Sequence, residues 1–126
     1  MDQKELRLIL QEGEGYKIEF KESVSNIEKG IVAFANSSGG IIVLGITDNK
    51  RIKGLKITND LKSKLQDIAN NCQPPIKIKF KVLRDILILI VKEGEDKPYK
   101  CSSGFYVRIG PNSQKLTRNE IIELFK

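Results

Sequence analysis

The chain has 126 residues, 40% apolar and 30% charged, with no His and two Cys, a size that can bury one core without disulfides or a structural metal. The lack of His excludes Cys/His zinc sites, His-based triads and imidazole acid–base chemistry, and no window approaches the roughly 18 apolar residues that suggest a membrane-crossing helix. The formal charge of +6 is uneven, with five Lys/Arg against seven Asp/Glu in residues 1–30 and 17 against nine in residues 31–126, so the basic body favours a polyanion partner, although Lys-rich composition also accompanies heat tolerance.

One domain over residues 1–126 is expected. The start, Met1 to Arg7, lacks the basic-then-apolar layout of a signal peptide, so a cytoplasmic location without membrane contact is the default; Cys72 and Cys101 could pair, but in that setting two reduced, partly buried thiols are expected.

Taken in order, Leu6, Ile9 and Leu10 recur at helical spacing and predict a short amphipathic helix over 2–10, broken by Gly13 and Gly15. Lys17 to Glu22 follows as a strand in which Ile18 and Phe20 alternate with Glu19 and Lys21, so an acid and a lysine share the face away from the apolar pair. Ser25 or Asn26 then caps a helix with Ile27, Ile31, Phe34 and Ala35 on its apolar stripe, stopped at Asn36-Ser-Ser-Gly-Gly40.

Ile41 to Ile46 reads as a central strand buried on both faces. Arg51 to Ile57 is expected as a short return strand with a bulge at Gly54, and Asn59 or Asp60 as the cap of a helix running to about Asn71. Ile76 to Val82 alternates without exception, with Lys77, Lys79 and Lys81 on its polar side, and turns near Asp85 into the buried strand Ile86 to Val91. Gly94 to Ser103 is loop-like. Phe105 to Ile109 alternates again, with Arg108 facing opposite to Val107 and Ile109. Thr117-Arg-Asn-Glu120 has the capping-box form and opens a last helix containing Ile121, Ile122, Leu124 and Phe125. The order predicts an α+β fold, a single mixed sheet with helices packed on it.

The Glu19-x-Lys21 pair is a nuclease-like arrangement, in which a carboxylate holds a divalent cation beside a phosphate and a lysine stabilises or deprotonates the attacking water; its plainer reading is a surface ion pair. Asp48 ends a buried strand, where α/β proteins place polar site residues, and its plainer reading is turn chemistry with Asn49. Glu14 stands an odd five positions from Glu19 across Gly15, so strand parity does not place the two together. Gly39-Gly40 lacks the spacing of a phosphate-binding loop and reads as a helix stop. Lys50, Arg51, Lys53 and Lys56 near the Asp48 turn, and Lys77, Lys79 and Lys81 on the alternating strand, read as phosphate contacts or, for the strand lysines, as protection of an edge against aggregation. Arg108 beside Tyr106, with Lys97, Tyr99 and Lys100 upstream, offers a guanidinium and rings suited to phosphate and base contact, with partial burial in the core as the plainer reading of Tyr99.

Glu14 to Ser23, Ala33-Phe-Ala-Asn-Ser-Ser-Gly-Gly40, Leu44-Gly-Ile-Thr-Asp48, Ile52-Lys-Gly-Leu55, Lys97-Pro-Tyr99 and Tyr106-Val-Arg-Ile-Gly110 together resemble the Schlafen-like domain, also catalogued as an AlbA-type DNA-binding domain and formerly as a divergent AAA domain. The resemblance covers nearly the whole chain and implies a fold like one lobe of a Schlafen core. Many prokaryotic relatives are described as transcriptional regulators, whereas some animal Schlafens cut tRNA with three carboxylates and a divalent cation. The positions matching those carboxylates are Glu14, Glu19 and Asp48, which the resemblance implies as ligands of Mg²⁺ or Mn²⁺, with Lys21 and Arg108 steadying the phosphate. Thr47 departs from the animal pattern, which often carries another acid there. Animal cores join two lobes into a basic groove, so a homodimer of this chain is expected to rebuild one. The expectation is a nucleic-acid-binding domain, RNA favoured over DNA, with metal-dependent RNA cleavage as the sharper function and a non-catalytic DNA-binding module of a regulator as the alternative. Lys50, Arg51, Lys53, Lys77, Lys79, Lys81, Lys100 and Arg108 are the candidate nucleic-acid contacts.

Overall fold

A computed structural model describes residues 2–124 of the chain. Its elements run α1 (Asp2–Glu12), β1 (Ile18–Lys21), α2 (Ile27–Ala35), β2 (Gly40–Leu44), α3 (Asn59–Asn70), β3 (Ile78–Leu83), β4 (Ile86–Val91), β5 (Lys100–Cys101), β6 (Gly104–Ile109), β7 (Asn112–Lys115) and α4 (Arg118–Leu124). The α+β class is as expected, but the strands divide between two sheets: a mixed four-stranded sheet ordered β1-β2-β4-β3, and a three-stranded sheet ordered β5-β6-β7. β1 runs parallel to β2, and the β2–β4 and β4–β3 pairs are antiparallel.

β2 and β4 lie in the middle of the larger sheet and are apolar on both faces, which is why their sequences read as unbroken hydrophobic runs. One face packs on α1, where Leu6 meets Ile18, Phe20, Val43 and Ile88 in the smaller core. The other face carries the larger core, built from Ile42, Leu44, Leu87 and Leu89 against α2, α3 and the second sheet. α2 is buried almost all round, from Ile27 and then from Gly30 to Ala35. The glycines joining α2 to β2 have no room for side chains: a Cβ on Gly40 would stand 2.5 Å from the Phe34 ring and 2.6 Å from Lys17 O, and Gly39 takes a φ of +76°.

Several local expectations change. Thr58 caps α3 instead of Asn59 or Asp60, because its extended backbone lets Oγ1 accept from Leu61 N at 3.1 Å. Arg51 to Ile57 forms no strand; it holds one bridge, Ile52 to Ile46, while Lys53 N and Gly54 N both donate to Gly45 O. The polar segment Asn112–Lys115, lacking any apolar alternation, becomes β7 because the Gly110 turn folds it back against β6. The capping box at Thr117 forms as predicted, with Thr117 N donating to Glu120 Oε1 at 2.8 Å and Glu120 N donating to Thr117 Oγ1 at 3.2 Å. No residue of α4 is buried, and Phe125 lies outside the described residues. Among the described residues no helix is long and apolar enough to cross a membrane.

Candidate functional site

Pairing of Glu19 with Ile42 puts the Glu19 side chain on the face of β1 that looks toward α2. It reaches the helix at Gly30, where a Cβ would stand 3.0 Å from Oε2. There it meets Arg108 of β6: Nη1 donates to Glu19 Oε1 at 2.6 Å and to Ser113 Oγ at 3.0 Å, and Nη2 donates to Gly15 O at 2.6 Å and Ile18 O at 3.2 Å. Ser113 Oγ donates in turn to Glu19 Oε1 at 3.3 Å. The guanidinium lies over the Phe34 ring, 4.5 Å from its centroid, and the Arg108 side chain is 0% exposed against 17% for Glu19.

Arg108 thus has the expected parity and the opposite environment. It alternates with Val107 and Ile109, yet Arg108 and Tyr106 face the interior while Ile109 is exposed. Its guanidinium ties the second sheet to β1 and is turned away from any external phosphate. Tyr106 and Tyr99, the rings offered for base contact, are also buried. Tyr106 shares a hydrogen bond with Ser103, and Tyr99 accepts one from Asp96 N. The signal for this inversion was present in the sequence only as an odd/even choice, and the helix that decides it is remote in the chain.

Glu14 sits at the outer edge of β1, where Oε2 accepts from Phe20 N at 3.0 Å and so satisfies a donor that the parallel partner β2 leaves free. Asp48 projects into solvent from the turn after β2. The Asp48 turn and the Glu14 loop are nevertheless neighbours, because a Cβ on Gly13 would stand 3.2 Å from Lys50 Nζ. Among the described residues no three His, Cys, Asp or Glu side chains converge on a point that a metal ion could share. As placed, Glu14, Glu19 and Asp48 do not fit a divalent cation as one ligand set: Glu19 is neutralised by Arg108, Glu14 caps an edge, and Asp48 stands apart on the surface.

The basic candidates are spread over both ends of the larger sheet, the length of β3 and, for Lys100, the second sheet. Lys50, Arg51 and Lys53 follow β2 beyond Leu44, which pairs with Leu87 at the start of β4; Lys77 precedes Ile78, which pairs with Val91 at the other end. Lys79 is exposed, and Lys81 is paired with Glu5 of α1 at 2.6 Å. Lys53 makes an exposed 3.4 Å contact with Glu22, and Lys100 lies 5.9 Å from the centroid of the Phe105 ring. Arg84, in the β3–β4 turn with φ +58°, joins the first group, and no motif or periodicity in the sequence marks it. Lys21, Lys50, Arg51 and Arg84 make no ion pair among the described residues and stand at the same end as Asp48.

Asn36 is a second residue whose role the sequence hid. Read as part of a helix stop, it donates through Nδ2 to Tyr99 O at 2.8 Å and Tyr106 O at 2.9 Å, and its Oδ1 accepts from Tyr99 N at 2.6 Å. With Ser37 Oγ accepting from Arg108 N at 2.9 Å, the end of α2 holds the second sheet by main-chain atoms.

Among solved structures the chain is similar to the DIP2311 protein from Corynebacterium diphtheriae, with 20% identity and a TM-score of 0.62 over 86% of this chain and 23% of that one. It is also similar to the N-terminal domain of a RecG-related protein from Nitrosomonas europaea, with 23% identity and a TM-score of 0.53 over 92% of this chain and 91% of that one. The chain thus spans less than a quarter of the Corynebacterium protein, and likeness at these identities speaks to the fold alone. The sequence profile of the family described as Schlafen, AlbA_2 matches residues 14–117. With that match covering most of the chain, and with the motifs of β1, the α2–β2 junction and β6 meeting around Glu19 and Arg108, the protein belongs to the Schlafen, AlbA_2 family.

Proposed function

We propose that this domain binds nucleic acid, RNA or DNA, through the end of the four-stranded sheet that carries Lys21, Lys50, Arg51 and Arg84, and that it binds without a metal held by Glu14, Glu19 and Asp48. The observation carrying this reading is the gathering of these four cations from three separate chain segments at one end of the sheet, none of them in an ion pair among the described residues. Ammonium and guanidinium groups in such a position release counterions from a phosphate backbone, which favours binding without reading sequence. Family membership supports the same class of partner, as does the RecG-related Nitrosomonas domain, whose name links it to a DNA helicase.

The test compares a duplex DNA and a hairpin RNA by fluorescence anisotropy across a salt series. Lys50→Ala/Arg51→Ala/Arg84→Ala is expected to weaken binding at least tenfold and to flatten the slope of log K against log salt by about two to three, given roughly 0.7–0.9 per lost phosphate contact. Lys77→Ala/Lys92→Ala, at the opposite end, is expected to leave both unchanged. Equal loss from both variants would mean binding has no preferred face, and no binding by wild type would end the proposal. A parallel incubation with Mn²⁺ tests cleavage. Metal-dependent RNA cleavage abolished by Asp48→Asn, in a protein that still binds, would replace this reading with that of a nuclease.

A further inference from the structure

We infer that Cys72 and Cys101 are a dithiol pair, and that oxidation by a small-molecule disulfide joins them into a bond stapling the end of α3 to the second sheet. The inference rests on register. Gln73 and Lys100 form an isolated antiparallel bridge in which each N–H donates to the other's carbonyl, both at 2.9 Å. In an antiparallel pair, the residues flanking such a doubly bonded couple face each other at a non-hydrogen-bonded position, with Cα atoms about 4.5 Å apart. Stepping back from Gln73 and forward from Lys100 gives Cys72 opposite Cys101. The ideal ladder spacing falls inside the roughly 4.4–6.8 Å that a disulfide accepts, and Cys72, at the bend where α3 ends, meets this register as the neighbour of Gln73.

The side chains agree with the backbone. Both thiols are free, both are buried in the larger core, and both line one cavity of about 200 Å³ with Glu28, Ile68, Asn71 and Ser102. Each now faces its own carbonyl: Cys72 Sγ donates to Ile68 O at 3.5 Å, and Cys101 Sγ to Gly104 O at 3.6 Å. Closure turns both sulfurs from those weak contacts into the cavity they share.

The chemistry is two successive exchanges. The Cys101 thiolate attacks one sulfur of the small disulfide, breaking its S–S bond and releasing one thiol. The Cys72 thiolate then attacks Cys101 Sγ, forming the protein disulfide and releasing the second thiol. The two cysteine protons end on the two released thiols, and the two electrons reduce the added disulfide. Cys101 is the entry point because burial, then Cys101 and Glu28, push the Cys72 thiol up from 9.0 to about 12, which leaves Cys72 a scarce thiolate and its attack the slow step. The staple closes a loop of about 30 residues containing β3 and β4 and restricts the unfolded chain. It adds a covalent tie to the sheet that Asn36 and Arg108 hold by hydrogen bonds.

The experiment incubates the native protein with oxidised glutathione at pH 8, counts thiols after denaturation, and measures intact mass, a non-reducing peptide map and the melting temperature. The expected result is loss of both thiols, a mass lower by two hydrogens, a linked peptide containing Cys72 and Cys101, and a melting temperature higher by several degrees that dithiothreitol reverses. Cys72→Ser is expected to halt at a glutathione adduct on Cys101. Two thiols still titratable at equilibrium, a stable adduct on the wild-type protein, or a disulfide between two chains would each overturn the pairing.

Discussion

Arg108 of β6 and Glu19 of β1, 89 positions apart in the chain, close a 2.6 Å ion pair beneath α2. The pair is buried on the arginine side, and the other hydrogen bonds of the guanidinium go to two backbone carbonyls and a serine hydroxyl. Removing one partner of such a pair leaves an uncompensated charge in the interior, which costs about 3–5 kcal/mol, whereas replacing both by apolar groups of similar volume can be nearly neutral. Glu19→Ala alone is expected to lower stability by that amount in urea unfolding, and Glu19→Leu/Arg108→Met to recover at least half of the loss. A Glu19→Ala protein as stable as wild type would show that the carboxylate is free for another task. With the expected destabilisation, loss of any activity in Glu19→Ala reads as loss of fold until stability is measured.

Gly30 makes room for that carboxylate. Alanine in a helix interior normally gains about 1 kcal/mol over glycine, but here a Cβ would stand 3.0 Å from Glu19 Oε2 and 3.2 Å from Ile42 Cδ1. Gly30→Ala is expected to destabilise the wild-type protein and to do so by at least 1 kcal/mol less in a Glu19→Ala background. Equal effects in the two backgrounds, by denaturant titration, would separate the glycine from the ion pair.

Asn36 presents an amide to one N–H and two carbonyls, a set that no other side chain of its size matches. Asn36→Ala is expected to cost about 1–3 kcal/mol, the range for leaving buried partners unsatisfied. Asn36→Asp is expected to cost more at pH 7 than Asn36→Ala, since a carboxylate would face two carbonyl oxygens with no donor. Hydrogen exchange at Tyr99 N reads the effect locally, and unchanged protection in both variants would refute the role.

The Thr117 backbone N–H holds the Glu120 carboxyl below its usual value of 4.5, and the Thr117 hydroxyl contributes less. A depressed folded-state value means that the stabilisation is present above the ordinary glutamate range and is lost as pH falls through the lowered value. NMR titration of the Thr117 amide is expected to show α4 fraying only below pH 4.5, and Glu120→Gln to remove that acid transition. A transition at or above the ordinary range would mean that the box is open in solution.

The elements and their faces were largely legible in the sequence, because β1, β2, β3, β4, α1 and α2 each carry their own period of burial, and Thr117 to Glu120 carries its own cap. Alternation alone predicts that Ile18 and Phe20 face the core, and both are buried. The division into two sheets was not legible, since β7 has no apolar residue to announce it and β5 has two residues. Parity told that Arg108 faces opposite to Ile109; it could not tell which side was inside, because that depends on α2 arriving from another part of the chain with Phe34 and Gly30 to receive a guanidinium and its carboxylate. The acids show the same limit. Only the family resemblance joined Glu14, Glu19 and Asp48 into one set, whereas tertiary packing gave Glu19 a buried cation, Glu14 an edge N–H and Asp48 open solvent. A period of two or 3.6 fixes a residue's direction relative to its neighbours, but its partner is chosen by whichever distant segment the hydrophobic core draws against it.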